Sequence, residues 1–122
     1  MHIGFTGTRK GMTKRQKASL GRLLTGLNSG IGKFHHGGAE GADTEAAKIA
    51  AKSGWGGERT VVFKPKRKTA KELLARNEKI VDASLLLIAA PKKNEEELRS
   101  GTWHTIRYAR KQKDVSIVIL DP

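Results

Sequence analysis

"SLLLIAAP" (Ser84–Pro91) decides the fold. Its apolar residues fall at odd and even positions alike. Side chains of a strand alternate between two faces, so a strand apolar at both parities is covered on both sides. Parallel sheets with helices packed on each face have that property. Working outward, the neighbouring segments supply those helices. Before it, Thr69 and Glu72 have capping-box spacing for a helix running to about Asp82, with Leu73, Leu74, Ile80 and Val81 on its apolar face. After it come a polar loop, "PKKNEEELRSG" (Pro91–Gly101), a helix over Thr102–Lys113, and "VSIVIL" (Val115–Leu120), read as a last buried strand.

The N-terminal half repeats the alternation. "HIGFTG" (His2–Gly7) reads as a strand. Thr13 caps a helix whose Leu20, Leu23, Leu24 and Leu27 share one face, and Asn28 and Gly30 stop it. "KFHHGG" (Lys33–Gly38) is a second strand. Asp43–Lys52 is a helix with a small-residue face of Ala46, Ala47, Ile49 and Ala50, broken by Gly54, Gly56 and Gly57. "RTVVFKP" (Arg59–Pro65) is a β-branched strand ended by proline. The order β-α-β-α-β-α-β-α-β predicts an α/β fold, a three-layer α/β/α sandwich around a mainly parallel five-stranded sheet. No repeat or linker divides residues 1–122, so one domain is expected.

The chain has no cysteine, which rules out disulfides and thiolate metal sites. No apolar run suits a signal peptide or a membrane span, and a cytoplasmic protein without membrane contact is expected. Twenty-four basic residues against twelve acidic ones give a net charge of +12. Such a surface attracts phosphate, whether from nucleotides or nucleic acid.

Ligands of such sheets bind beyond the C-terminal ends of the strands. Four strand-to-helix loops lie there: "TGTRKGM", "HHGGAEGAD", "KPKRK" and "APKKNEEELRSGT". They gather Arg9, Lys10, Lys64, Lys66, Arg67, Lys68, Lys92, Lys93 and Arg99 on one edge. Gly37, Gly38, Ala39 and Gly41 open the second helix, whose N–H groups suit a phosphate. Asp43 serves equally as an N-cap of that helix or as an acceptor for a ribose. Gly7, Thr8 and Arg9 form a similar loop, though no G-K-[ST] follows to make it a P-loop. Ser100, Gly101 and Thr102 make another phosphate cradle, and Trp103 either stacks on a base or packs under the loop. Asn77, beside the apolar stripe of the third helix with Arg76, needs a partner for its amide: a loop, a ligand or water. His35 and His36 point to opposite sides of a strand, so no metal site is expected. His104 has no partner visible in the sequence.

Together "GFTGTR", "HHGGAEGADTEAA", "ARNEKIVDAS" and "RSGTWHTIRYA" resemble the SLOG superfamily, over nearly the whole chain. That group includes the Rossmann-like domain of DNA-processing protein A and the LOG phosphoribohydrolases. The resemblance implies a Rossmann-like nucleotide-binding domain and a homo-oligomer; no cofactor is expected. It implies a cleft for a nucleotide-type small molecule, formed by Gly7–Arg9, Gly37–Asp43, Arg76–Asn77 and Ser100–Thr102. A copy of the chain is expected against the small-residue face of the second helix or a sheet edge. The phosphoribohydrolases carry P-G-G-x-G-T-x-x-E with a catalytic glutamate. Here the position three after Thr102 is Thr105, which turns the first expectation toward sensing or sequestering a nucleotide. Glycosidic hydrolysis through Glu40, Asp43 or Glu45 is one alternative. Nucleic-acid binding through Lys64, Lys66, Arg67 and Lys68 is the other.

Overall fold

The structure, a computed structural model, describes residues Met1–Pro122. Five strands, β1 (Ile3–Gly7), β2 (Phe34–His36), β3 (Thr60–Val62), β4 (Leu86–Ala90) and β5 (Ser116–Ile119), alternate with four helices, α1 (Lys14–Leu27), α2 (Ala42–Ala50), α3 (Ala70–Asp82) and α4 (Gly101–Arg110). The sheet is parallel throughout, in the order β3-β2-β1-β4-β5. The chain winds outward from β1 in one direction and from β4 in the other. The β1/β4 boundary is therefore the switch point, where a crevice must open between the diverging loops.

Helices α1 and α2 cover one face. There Ile3, Phe5, Phe34, Leu86 and Ile88 pack with Leu20, Leu24, Ala46, Ala50 and Trp55. On the other face Leu87 meets Val81 and Ala109, and Ala89 meets Trp103 and Ile106. All five residues of β4 are buried, as the doubly apolar run requires. Each fully buried Leu or Ile contributes about 1.5–3 kcal/mol. Thr13 caps α1 in a reciprocal box with Gln16. The Gln16 amide then donates to the carbonyls of Pro91 (2.8 Å) and Leu120 (3.1 Å), tying α1 to the ends of β4 and β5.

Two expectations are corrected. The last strand is not buried: β5 is an edge of the sheet, with Ser116 exposed and the rest half-covered. The small-residue face of α2 is not a docking face for a copy, because Ala46 and Ala50 are fully enclosed in the core. No helix is long and apolar enough to cross a membrane.

Candidate nucleic-acid interface

Loops from both sides of the switch point enclose a cleft of about 470 Å³. Thr6 to Lys10 form one wall, and Lys92, Glu97 and Arg99 to Thr102 form the opposite wall. Leu73, Leu74, Arg76 and Asn77 of α3 complete it, with Ala39 and Asp43 at the back. Three of the four loops singled out in the sequence thus converge here, and the other, "KPKRK", lines a groove beside it. Leu73 and Leu74, read as core residues of α3, line the cleft instead of the interior.

The glycine loop turns inward. Gly37 and Ala39 donate their N–H groups to Asp43 Oδ2 (3.2 and 3.1 Å), and Gly38 donates to His36 Nδ1 (3.0 Å). Of the four residues expected to turn N–H groups toward a phosphate, three, Gly37, Gly38 and Ala39, have theirs occupied. Arg76 grips the same loop from the other side. It donates to the carbonyls of Gly37 (2.7 Å) and Phe63 (3.2 Å), and from Nε to Asn77 Oδ1 (2.8 Å). The neighbour Arg76 thus satisfies the Asn77 side-chain oxygen, while the residue itself lines the cleft. A Cβ on Gly37 would stand 2.5 Å from the guanidinium carbon, so this glycine is there to admit Arg76. Gly41 has φ +80°, and a Cβ there would strike the Arg9 carbonyl.

Asp43 does not cap α2. The cap position is Gly41, and Asp43 lies one residue inside the helix, with its carboxylate turned back to the loop. Burial raises its pKa, against the lowering effects of the Ala39 N–H, Arg76, the Gly37 N–H and Arg9. Burial likewise lowers the pKa of Arg76, partly offset by Asp43. Thr8 N–H is also occupied, by the Ala90 carbonyl (3.1 Å).

Trp103 is not a stacking platform. It is buried against Ala89 and Ile106, and its indole N–H donates to the Lys93 carbonyl (3.3 Å). Glu45 is held by the Met12 N–H (2.6 Å) and Lys17 (3.0 Å), a clamp on the first loop that only its position across the fold reveals. Glu40 is exposed. His104 does have a partner, Glu78, at 3.1 Å. His35 and His36 are buried on opposite faces, and no three His, Cys, Asp or Glu residues cluster as metal ligands.

What remains turned outward is basic. None of the nine cations on this edge forms an ion pair with a carboxylate. Ser100 caps α4 by accepting from Trp103 N–H (3.2 Å), and its carbonyl takes the His104 N–H (2.9 Å). Gly101 and Thr102, first in the helix, line the cleft, and their N–H groups have no intrahelical acceptor.

No family model and no curated protein matches the sequence. Solved structures similar to it include two forms of one protein. DNA processing protein A from Streptococcus pneumoniae is 21% identical with a TM-score of 0.72, over 95% of this chain and 49% of that one. DNA processing protein A from Helicobacter pylori, described for its single-stranded DNA binding mode, is 19% identical with a TM-score of 0.72, over 96% of this chain and 64% of that one. The chain spans about half to two thirds of these neighbours. The likeness establishes a Rossmann-like α/β fold of the kind found in DNA processing protein A.

Proposed function

We propose that this domain binds single-stranded DNA along the C-terminal edge of its sheet, seating one nucleotide in the switch-point cleft. The observation that carries the reading is the contrast within that edge. The Gly37, Gly38 and Ala39 N–H groups of its glycine loop are satisfied internally, while its cations stand unpaired around a concave surface. Unpaired lysines and arginines gathered on one edge suit a chain of phosphates better than a single one. Arg9, Lys10, Lys92 and Arg99 contact the backbone, and the Gly101 and Thr102 N–H groups receive one phosphate. The aromatic side chains are spent elsewhere: both tryptophans, Phe5 and Phe34 are buried. Binding is therefore electrostatic and indifferent to sequence, without a stacking platform. The single-strand binding described for the Helicobacter pylori protein, on the same fold, supports the reading.

The test is fluorescence anisotropy with a labelled dT20, its duplex and a mixed-sequence single strand, at several salt concentrations. Expected are tighter binding of the single strands than of the duplex, and a steep fall with salt, about 0.7 in log-log slope for each phosphate engaged. Flat salt dependence, or no binding, would overturn it.

A second reading keeps one observation in its favour. A cleft of about 470 Å³ lies within the usual range for a small-molecule site, roughly 300–1,000 Å³. In that reading a free nucleotide is the ligand. Saturable binding of dTMP or AMP as tight as that of dT20 would select it.

A further inference from the structure

Beside the cleft lies a second groove of about 570 Å³, under the loop from β3 to α3. Lys64, Lys66, Arg67 and Lys68 line it, with Glu40 as its one carboxylate. The two cavities are neighbours with a common wall: Arg9, Ala39, Leu73 and Arg76 border both. Each has the volume of a site for one small ligand rather than for a polymer.

The surroundings of the cleft are asymmetric in charge. On the α4 side, Lys92 and Arg99 are joined by Glu97 in the lining, and the same loop carries Lys93, Glu95 and Glu96, the last paired with Arg107 and Arg110. On the β3 side, four exposed cations without carboxylate partners face one glutamate. A polyanion leaving the cleft meets nearly balanced charge in the first direction and an excess of cations in the second, so it is drawn toward β3. Arg76 is the poorer bridge: it is buried, and Nε and Nη1 are held by Asn77 and by the Gly37 and Phe63 carbonyls, which fixes the guanidinium and leaves only Nη2. Arg9 is exposed and borders both cavities, so its guanidinium is placed for the phosphodiester that joins them.

We infer that the β3–α3 groove is a second nucleotide subsite, continuous with the cleft across Arg9, and that a bound strand runs from the cleft toward β3. This inference rests on the single-strand reading. It adds that the domain grips two consecutive nucleotides and holds a mononucleotide weakly. Linking two weakly bound units raises affinity by roughly 10²–10⁴ where the geometry allows both to engage.

The experiment measures affinities of dTMP, the dinucleotide pdTpdT and dT6 for the unaltered domain, for the quadruple variant K64A/K66A/R67A/K68A, and for K92A/R99A. Thermal melting checks that each variant is folded. Expected for the unaltered domain is a gain of tenfold or more from dTMP to pdTpdT. The quadruple variant loses that gain while its dTMP affinity stays within threefold. K92A/R99A weakens dTMP and pdTpdT alike and keeps the ratio. Two results would overturn the inference and leave the single-strand reading standing: dT6 bound with no gain at the dinucleotide, or a gain that survives in the quadruple variant. Failure of the unaltered domain to bind dT6 would overturn both.

Discussion

The two ends of the sheet treat arginine in opposite ways. At the N-terminal end, Arg59 donates to the Gly32, Gly54 and Ile31 carbonyls and to Asn28 Oδ1, and lies 4.1 Å over the Trp55 ring. Its charge is consumed in closing the turns below the strands. At the C-terminal end, Arg9, Arg67 and Arg99 have no such partners, and the lysines around them have none either. Arg76 belongs to that edge by position but behaves like Arg59. Proximity to a cleft therefore does not make an arginine a ligand group; the acceptors it already holds decide the matter.

The largest expected effect would break this comparison at Arg76. Arg76→Met keeps much of the side-chain volume and removes a buried guanidinium that makes three hydrogen bonds. The Gly37 carbonyl is left buried without its donor, and the nearby Asp43 carboxylate loses a favourable charge. We expect a loss of about 3 kcal/mol, since hydrogen bonds to charged groups are worth roughly 1.5–3 kcal/mol each and the losses are not additive. Urea denaturation measures it. A loss below 1 kcal/mol would return Arg76 to the outward-facing set.

Gly37→Ala tests the same clasp from the loop. The added methyl meets the guanidinium at 2.5 Å, and both sides are held by hydrogen bonds. Overpacking of this kind costs about 1–3 kcal/mol. Unchanged stability would mean that the loop yields freely and that the glycine is there for a ligand.

These two residues also show where a sequence stops being informative. The fold was legible because it rests on local periodicity: the doubly apolar Leu86–Ala90, the Thr13 and Thr69 caps, and the leucines of α1 each point to the observed element. The position of the cleft was legible as well, since alternating strands and helices bring their connecting loops to one edge. The commitments of the individual groups were not. Gly37 and Arg76 are 39 residues apart, and Met12 and Glu45 are 33 apart. A glycine that admits a side chain and a glycine that admits a phosphate look the same in one dimension. The edge position of β5 was hidden for a related reason. "VSIVIL" is as apolar as a central strand, and only strand order tells the two apart.

At the outward-facing group the effects move from stability to binding. Arg9→Ala removes an exposed side chain with no hydrogen-bond partner, so stability should stay within about 0.5 kcal/mol. The salt dependence of dT20 binding should flatten by about 0.7 in log-log slope, the loss of one phosphate contact. Arg9→Ala thus sharpens the comparison with Arg76→Met: one variant melts normally and binds poorly, the other melts early. If Arg9→Ala leaves both the affinity and the slope unchanged, the phosphates pass elsewhere.

The smallest effect is a pH dependence confined to the inward-facing half of the edge. Burial lowers the pKa of His36, helped by the nearby Arg76 charge. Burial also lowers that of His35, helped by His2 and Lys33. In the unfolded chain both titrate near the ordinary value of about 6.5. Below that pH the unfolded state therefore holds more protons than the folded one, and stability falls as pH drops. The contribution is fully present above the unfolded value and is lost as pH falls through the folded values. Protonation of His36 also removes the acceptor of the Gly38 N–H. Acid thus loosens the loop that Arg76 and Asp43 hold. His36→Asn offers a neutral acceptor oxygen near the same place, so its urea midpoint should change less between pH 7 and pH 5.5 than that of the unaltered protein. An equal change in both would place the acid sensitivity at His35 or outside this strand.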